Sequence, residues 1–189
     1  MFFQRRAQTD QFGDTSKVET KGLELEANYQ PNQHFSANAS YSYLDGKLPN
    51  ATPVAFTNNV YDAFNPPYGT GVGSPNFTPG PVGDYQLPGL PTHLFSAFAK
   101  YRTALGLGAS LGIVVTSPIL TSYVGGVEIP TQHMLDGALF YERDNWAARV
   151  DFYNITDEKN WVAESGAVGN DLISASMPFH VQASVSIRF

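Results

Sequence analysis

Residues 179–189 alternate between apolar and polar side chains without exception. Phe179, Val181, Ala183, Val185, Ile187 and Phe189 share one parity, and His180, Gln182, Ser184, Ser186 and Arg188 share the other. A helix would spread both sets around its axis. Only an extended strand, whose successive side chains point to opposite faces, keeps them apart. The same rhythm recurs upstream. Leu23, Leu25, Ala27 and Tyr29 oppose Glu24, Glu26 and Asn28, and Phe35, Ala37, Ala39, Tyr41 and Tyr43 oppose Ser36, Asn38, Ser40 and Ser42. Between residues 105 and 116 the second parity is small rather than polar: Gly106, Gly108, Ser110, Gly112, Val114 and Thr116. Residues 93–102, 132–142 and 146–156 read as further strands, and 2–9 as the weakest. No segment carries a helical period. The expectation is an all-β, antiparallel sheet of about eight strands, each near the roughly 9–11 residues that cross a bilayer at a tilt.

Composition says what the apolar faces meet. Charged residues make up 15% of the chain, against roughly 25% in an ordinary soluble domain. Aromatics are plentiful, with 13 Phe, 10 Tyr and 2 Trp. Few charges and many aromatics suit a surface that faces lipid. The net charge of -6 and the scattering of the eleven basic residues argue against a nucleic-acid partner. With no cysteine there is no disulfide framework, thiolate metal site or Cys nucleophile. No apolar run approaches the roughly 18 residues of a membrane helix. Arg5 and Arg6 have no apolar stretch behind them, so the N-terminus does not read as a signal peptide.

The connections alternate short and long. Short ones fall at Pro31-Asn32, Thr103-Ala104 and Arg143-Asp144-Asn145; long ones span 10–17, 47–90, 118–129 and 157–177. Transmembrane barrels place short turns at the periplasm and long loops outside. The prolines and glycines of residues 47–90 predict an extracellular loop without regular structure. In a compact soluble domain such a loop would be out of place.

Whole motifs then resemble TonB-dependent outer-membrane receptors. Lys21-Gly22-Leu23-Glu24-Leu25-Glu26, Pro31 and the run from Phe35 through Tyr43 to Asp45 are similar to that family's "KGxExE…P…F…Y…D" stretch. Leu87-Pro88-Gly89-Leu90-Pro91-Thr92-His93 resembles its "LPxxPxH" lead-in to a strand, here ending in Tyr101. Val127 to Pro130 with Asp136 and Tyr141 resembles "VPxxxxxDxxxxY", and Trp146 with Asn154 and Asp157 resembles "WxxxxxxxNxxD". Phe189 matches the aromatic end that outer-membrane barrels share. Five motifs in the family's order cover essentially residues 1–189.

The resemblance implies the C-terminal part of a barrel of about 22 strands, in the outer membrane of a Gram-negative bacterium. It implies TonB-dependent uptake of a scarce ligand such as a ferric siderophore by the full-length parent. The plug domain, through which TonB would act, is absent from this sequence. The implied partners are outer-membrane lipid and, through the strand ending in Phe189, the barrel-assembly machinery. The alternative is a small closed eight-stranded barrel with a side-chain-filled lumen. A soluble lipocalin-like binder would not combine wet interiors with greasy exteriors.

The residues support no enzyme and no cofactor. His34, His93, His133 and His180 lack metal-ligand spacing, and there is no GxSxG elbow. Gly69-Thr70-Gly71-Val72-Gly73 lacks the Gly-Lys-Ser/Thr end of a phosphate loop. Glu24 and Glu26 share a face, but charges are cheap on the polar lumen wall of a large barrel. Arg149 and Asp151 read likewise, as charges paired across strands. Leu23, Leu25, Phe179, Val181, Val185, Ile187 and Phe189 are expected to face the membrane. Tyr29, Phe35, Tyr101, Trp146 and Phe189 are expected to form a periplasmic girdle. Phe56, Tyr61, Phe64, Tyr68, Phe77 and Tyr85 are the candidate ligand contacts of the long loop, set against packing of the loop on itself.

Overall fold

The computed structural model describes residues 17–51, 54–57, 76–79, 82–121, 127–163 and 173–188. All regular structure among them is strand. In chain order these are β1 (Glu19–Tyr29), β2 (Phe35–Ala51), β3 (Val54–Thr57), β4 (Asn76–Pro79), β5 (Gly83–Gln86), β6 (His93–Arg102), β7 (Leu107–Thr116), β8 (Ile119–Leu120), β9 (Glu128–Ile129), β10 (Gln132–Glu142), β11 (Trp146–Tyr153), β12 (Trp161–Ala163), β13 (Ile173–Ala175) and β14 (His180–Ile187). Seven of them form one antiparallel meander, β1-β2-β6-β7-β10-β11-β14, and β5 pairs with the far end of β2. The candidate strand at residues 2–9 lies outside the described residues.

Three tight turns join the long strands at one edge of the sheet. In the first, Asn32 Oδ1 accepts the N–H groups of His34 and Phe35 at 2.9 and 3.0 Å, the side chain standing in for a turn carbonyl. In the second, Gly106 has φ +91° and its carbonyl accepts the Glu142 N–H at 2.9 Å. A Cβ there would lie 2.1 Å from the Glu142 carbonyl oxygen, so only glycine fits. In the third, the Arg143 N–H donates to the Trp146 carbonyl. All three fall at the short connections read from the sequence, but the second runs on through Leu105 and Gly106, which were read as strand; the positive φ of Gly106 turns the chain there.

The opposite edge carries the long connections, and here the structure departs from the expectation of a structureless loop. β2 is 17 residues long and continues beyond the rest of the sheet. β5 pairs alongside it, Lys47 opposite Gln86 and Leu48 opposite Tyr85, with a bulge before Ala51. Asn50 takes a left-handed conformation, φ 54°, and donates its N–H to Asp84 Oδ1. β3 and β4 pair with each other within the same stretch. Prolines and glycines interrupt residues 47–90, but their flanks form ladders because partners return from distant sequence.

Burial is sparse. Among the described residues only Leu48, Ala51, Ile129, Ala138, Phe140, Asn154 and the glycines Gly46, Gly106 and Gly108 are buried. Among the described residues there is one layer of sheet and no second layer over it. Within the described residues β1 and β14 are not paired with each other, so the meander does not close. A closed eight-stranded barrel would need that pairing, or a strand at residues 2–9.

Candidate functional site

The ladders decide what each side of the sheet offers. One row runs Leu25, Tyr41, Phe95, Val115 and His133 across five strands by direct pairing. Another runs Tyr29, Ala37, Ala99, Leu111, Gly137, Phe152 and Val181 across all seven. Val150 meets Ala183, Ala148 meets Val185 and Trp146 meets Ile187 in the same parity. The apolar parities predicted strand by strand therefore join into one apolar face. Its large side chains are open, with Leu25 at 56%, Val185 at 70% and Ile187 at 63% exposure. Leu23 and Val181 lie on this face, and Phe179, just before β14, is exposed as well. Phe189 is outside the described residues.

The short-turn end of this face is aromatic. Tyr29 and Phe35 meet edge to face at 6.3 Å, Phe35 pairs with Tyr101, and Tyr141 packs on Trp146 at 5.3 Å. Tyr29, Phe35, Tyr101 and Trp146, four of the five residues expected to form a girdle, thus share the tight-turn end of the sheet. Tyr41, Tyr43 and His93 make a second aromatic group further along, with Tyr41 Oη 2.8 Å from His93 Nδ1.

The opposite face is mixed: beside the exposed Leu94, Phe98, Val114 and Met134 it carries polar groups that pair with one another. Ser40 and Ser96 share a hydrogen bond of 2.8 Å. Glu142 takes Arg102 at 3.0 Å and Lys100 at 3.7 Å, and the Lys100 ammonium also sits 4.5 Å from the Phe140 ring centre. Arg149 and Asp151 are paired at 2.7 Å, along one strand rather than across strands as expected. Glu24 and Glu26 lie opposite Ser42 and Ser40, with no base beside them in the ladder. Among the described residues no group of three His, Cys, Asp or Glu side chains is placed to hold a metal ion.

Sequence reading missed two features of the polar face. Phe98 lies opposite Gly112 and Phe140 opposite Gly108. The Gly108 position is closed by the Phe140 ring, which leaves Phe140 only 3% exposed. The small parity of residues 105–116 thus accommodates aromatic rings from neighbouring strands. Phe98 and Phe140 were visible as breaks in alternation, but the glycines beneath them could be matched only once pairing was known.

Beyond the far end of β11 the Asn154–Asp157 motif forms a polar knot. Asn154 is 1% exposed with φ 51°. Its N–H donates to Asp136, and its amide nitrogen donates to the carbonyls of Glu158 and Met177. Its side-chain oxygen accepts the Glu158 N–H. Asp157 accepts the Phe179 N–H, Asn160 donates to the His133 carbonyl, and the Trp161 N–H donates to Gln132 Oε1. The connection between β11 and β14 is thereby tied to β10.

Of the candidate ligand contacts, Phe56 and Phe77 sit opposite each other in the β3–β4 pairing and Tyr85 lies in β5 opposite Leu48. Tyr61, Phe64 and Tyr68 lie outside the described residues.

Residues 2–155 match the family described as "TonB dependent receptor-like, beta-barrel". The chain belongs to this family. No curated protein sequence matches it. Among solved structures, the chain is similar to the siderophore receptor PiuA from Acinetobacter baumannii, with a TM-score of 0.71 at 16% identity over 91% of this chain and 22% of that one. The ferric-catecholate import receptor Fiu from E. coli gives 0.67 at 15% identity, over 92% of this chain and 21% of that one. The ferric preacinetobactin receptor BauA from A. baumannii gives 0.65 at 17%, over 91% and 22%. At these identities the likeness speaks for fold. The chain spans about a fifth of the length of these receptors. It is a TonB-dependent receptor β-barrel section: a partial antiparallel barrel, of a family of outer-membrane transport receptors.

Proposed function

We propose that this chain is a section of barrel wall in an outer-membrane receptor that takes up a scarce ligand, such as a ferric siderophore, by TonB-coupled transport. The observation that carries the reading is the in-register apolar face, continuous over seven strands and, among the described residues, uncovered by any second layer. In water such a face would be a standing liability. In a bilayer, Leu23, Leu25, Phe179, Val181, Val185, Ile187 and Phe189 meet lipid, and the opposite face lines a wet lumen where ion pairs such as Arg102–Glu142 and Arg149–Asp151 stay hydrated. A ten-residue strand rises about 33 Å, or roughly 23 Å when tilted by 45°, close to the height of a barrel's apolar band.

In this orientation the three tight turns are periplasmic and residues 47–90 are extracellular. Phe56, Tyr61, Phe64, Tyr68, Phe77 and Tyr85 then stand where an incoming ligand is first met. TonB engages the plug of the whole receptor rather than this wall, and the barrel-assembly machinery engages the last strand through Phe189. The test uses cells whose only siderophore receptor is the full-length protein containing this section. They should import radioactive iron supplied as a ferric catecholate, and deletion of TonB should abolish that import. Import that continues at the same rate without TonB would overturn the reading.

A further inference from the structure

The apolar face is not uniformly filled. A hollow of about 450 Å³ opens on it where Ala99, Ala109 and Gly137 leave the floor low and Leu111, Leu139 and Phe152 stand as walls. A second hollow, of about 530 Å³, adjoins it and shares Ala99 and Leu111. The side chains of this parity that line the first are apolar or aromatic, so it offers a flexible hydrocarbon contact area and gives a polar ligand no anchor.

Directly toward the tight-turn end, the same row of β10 continues from Gly137 and Leu139 to Tyr141, and then to Arg143 in the turn. At 3.3 Å per residue, Arg143 lies about 13 Å from Leu139 along the strand. The Arg143 Nε donates to Tyr141 Oη at 2.7 Å, and the guanidinium lies 5.5 Å from the Tyr141 ring centre. Trp146 also packs on Tyr141, with ring centres 5.3 Å apart. Of the two acids beside Arg143 in sequence, Glu142 points to the opposite face and is held by Arg102 and Lys100, and Asp144 in the turn makes no ion pair with it. Among the described residues Arg143 makes no ion pair. The result is an oriented cation at the girdle, with unused donors, below an apolar slot.

We infer that Arg143 and the hollow above it form a binding site for one anionic phospholipid of the periplasmic leaflet, the phosphate on Arg143 and an acyl chain in the slot. The inference rests on the reading that the apolar face meets lipid and the tight turns are periplasmic. A planar guanidinium with free N–H groups matches a phosphate in charge and geometry. A net-negative headgroup is favoured over a zwitterionic one because choline places a second cation beside Arg143. One basic residue near a membrane surface gives roughly a fivefold local enrichment of anionic lipid.

The test reads lipid identity beside the site. The full-length receptor carries a small fluorophore on a cysteine at Leu107, which lies on the apolar face opposite Tyr141 and is 56% exposed. It is placed in phosphatidylcholine bilayers containing a few per cent of lipid brominated on its acyl chains, either phosphatidylglycerol or phosphatidylcholine. Brominated phosphatidylglycerol should quench as strongly as a roughly fivefold higher fraction of brominated phosphatidylcholine. Arg143→Gln should remove the difference, and Ala109→Leu, which fills the slot while still facing lipid, should reduce it. Equal quenching by the two lipids, or a preference that survives Arg143→Gln, overturns the site while leaving the membrane-facing reading intact. No quenching by either lipid overturns both.

Discussion

At the scale of single residues, the structure separates positions that look alike in the sequence. Gly108 and Gly112 both lie on the small parity of β7. A Cβ at Gly108 would come within 2.3 Å of the Phe140 ring and 2.6 Å of the Tyr101 carbonyl, whereas at Gly112 its nearest neighbour is a Phe98 carbon at 3.4 Å. Gly108→Ala should therefore cost about 1–3 kcal/mol through overpacking, and Gly112→Ala should change stability little. Urea titration of the folded receptor, followed by its shift on unheated gels, compares the two; equal midpoints would contradict the packing account. Asn154 gives a second contrast. Its amide reaches two carbonyls and one N–H from a buried position. Asn154→Ala leaves those groups unmet, at about 1–3 kcal/mol for each that finds no water. Asn154→Asp keeps the acceptor for the Glu158 N–H but points a carboxylate at the Glu158 and Met177 carbonyls. It should be no more stable than the alanine variant in the same titration, and a stability near wild type would refute the assigned hydrogen bonds.

Elements inherit their sidedness from parity, so a slip of one residue would exchange the faces of a whole strand. β14 is the most sensitive case, because Val185 and Ser184 are neighbours in sequence and opposite in exposure to lipid under the proposed orientation. Spin labels at the two positions in the full-length receptor should differ, with dissolved oxygen favouring Val185 and an aqueous nickel chelate favouring Ser184. Equal accessibility to both reagents would refute the facing. The connections allow a topological test. A cysteine introduced at Asp84, in β5, should react on intact cells with a membrane-impermeant maleimide. One at Asn32, in a tight turn, should react only after the outer membrane is opened. The reverse pattern would invert the protein in the membrane.

For the molecule as a whole, the decisive property is the open meander. Closed barrels leave no edge, and in hydrocarbon each unmet backbone group costs several kcal/mol. Among the described residues β1 and β14 each have a ladder partner on one side only, and under the proposed membrane orientation their other edges need neighbouring strands. Expressed alone with an added signal peptide, in cells lacking siderophore receptors, these 189 residues should support no energy-dependent uptake of ferric catecholate. Uptake that disappears when the proton gradient is collapsed would show that the section forms a working pore by itself.

The amino-acid sequence by itself determined the seven long strands, the faces of those that alternate cleanly, and the places of the tight turns, because these follow from alternation and from residues such as Asn32 that act over a few neighbours. Five ordered motifs also pointed to the family. Tertiary structure decided everything that depends on which strand lies beside which. It placed Phe140 over Gly108, paired β5 with the end of β2 inside a stretch that reads as loop, and bound Asn154 to Asp136 and Met177. Parity is a local property of an extended chain. Partnership between residues separated by tens of positions is fixed only when the ladders form.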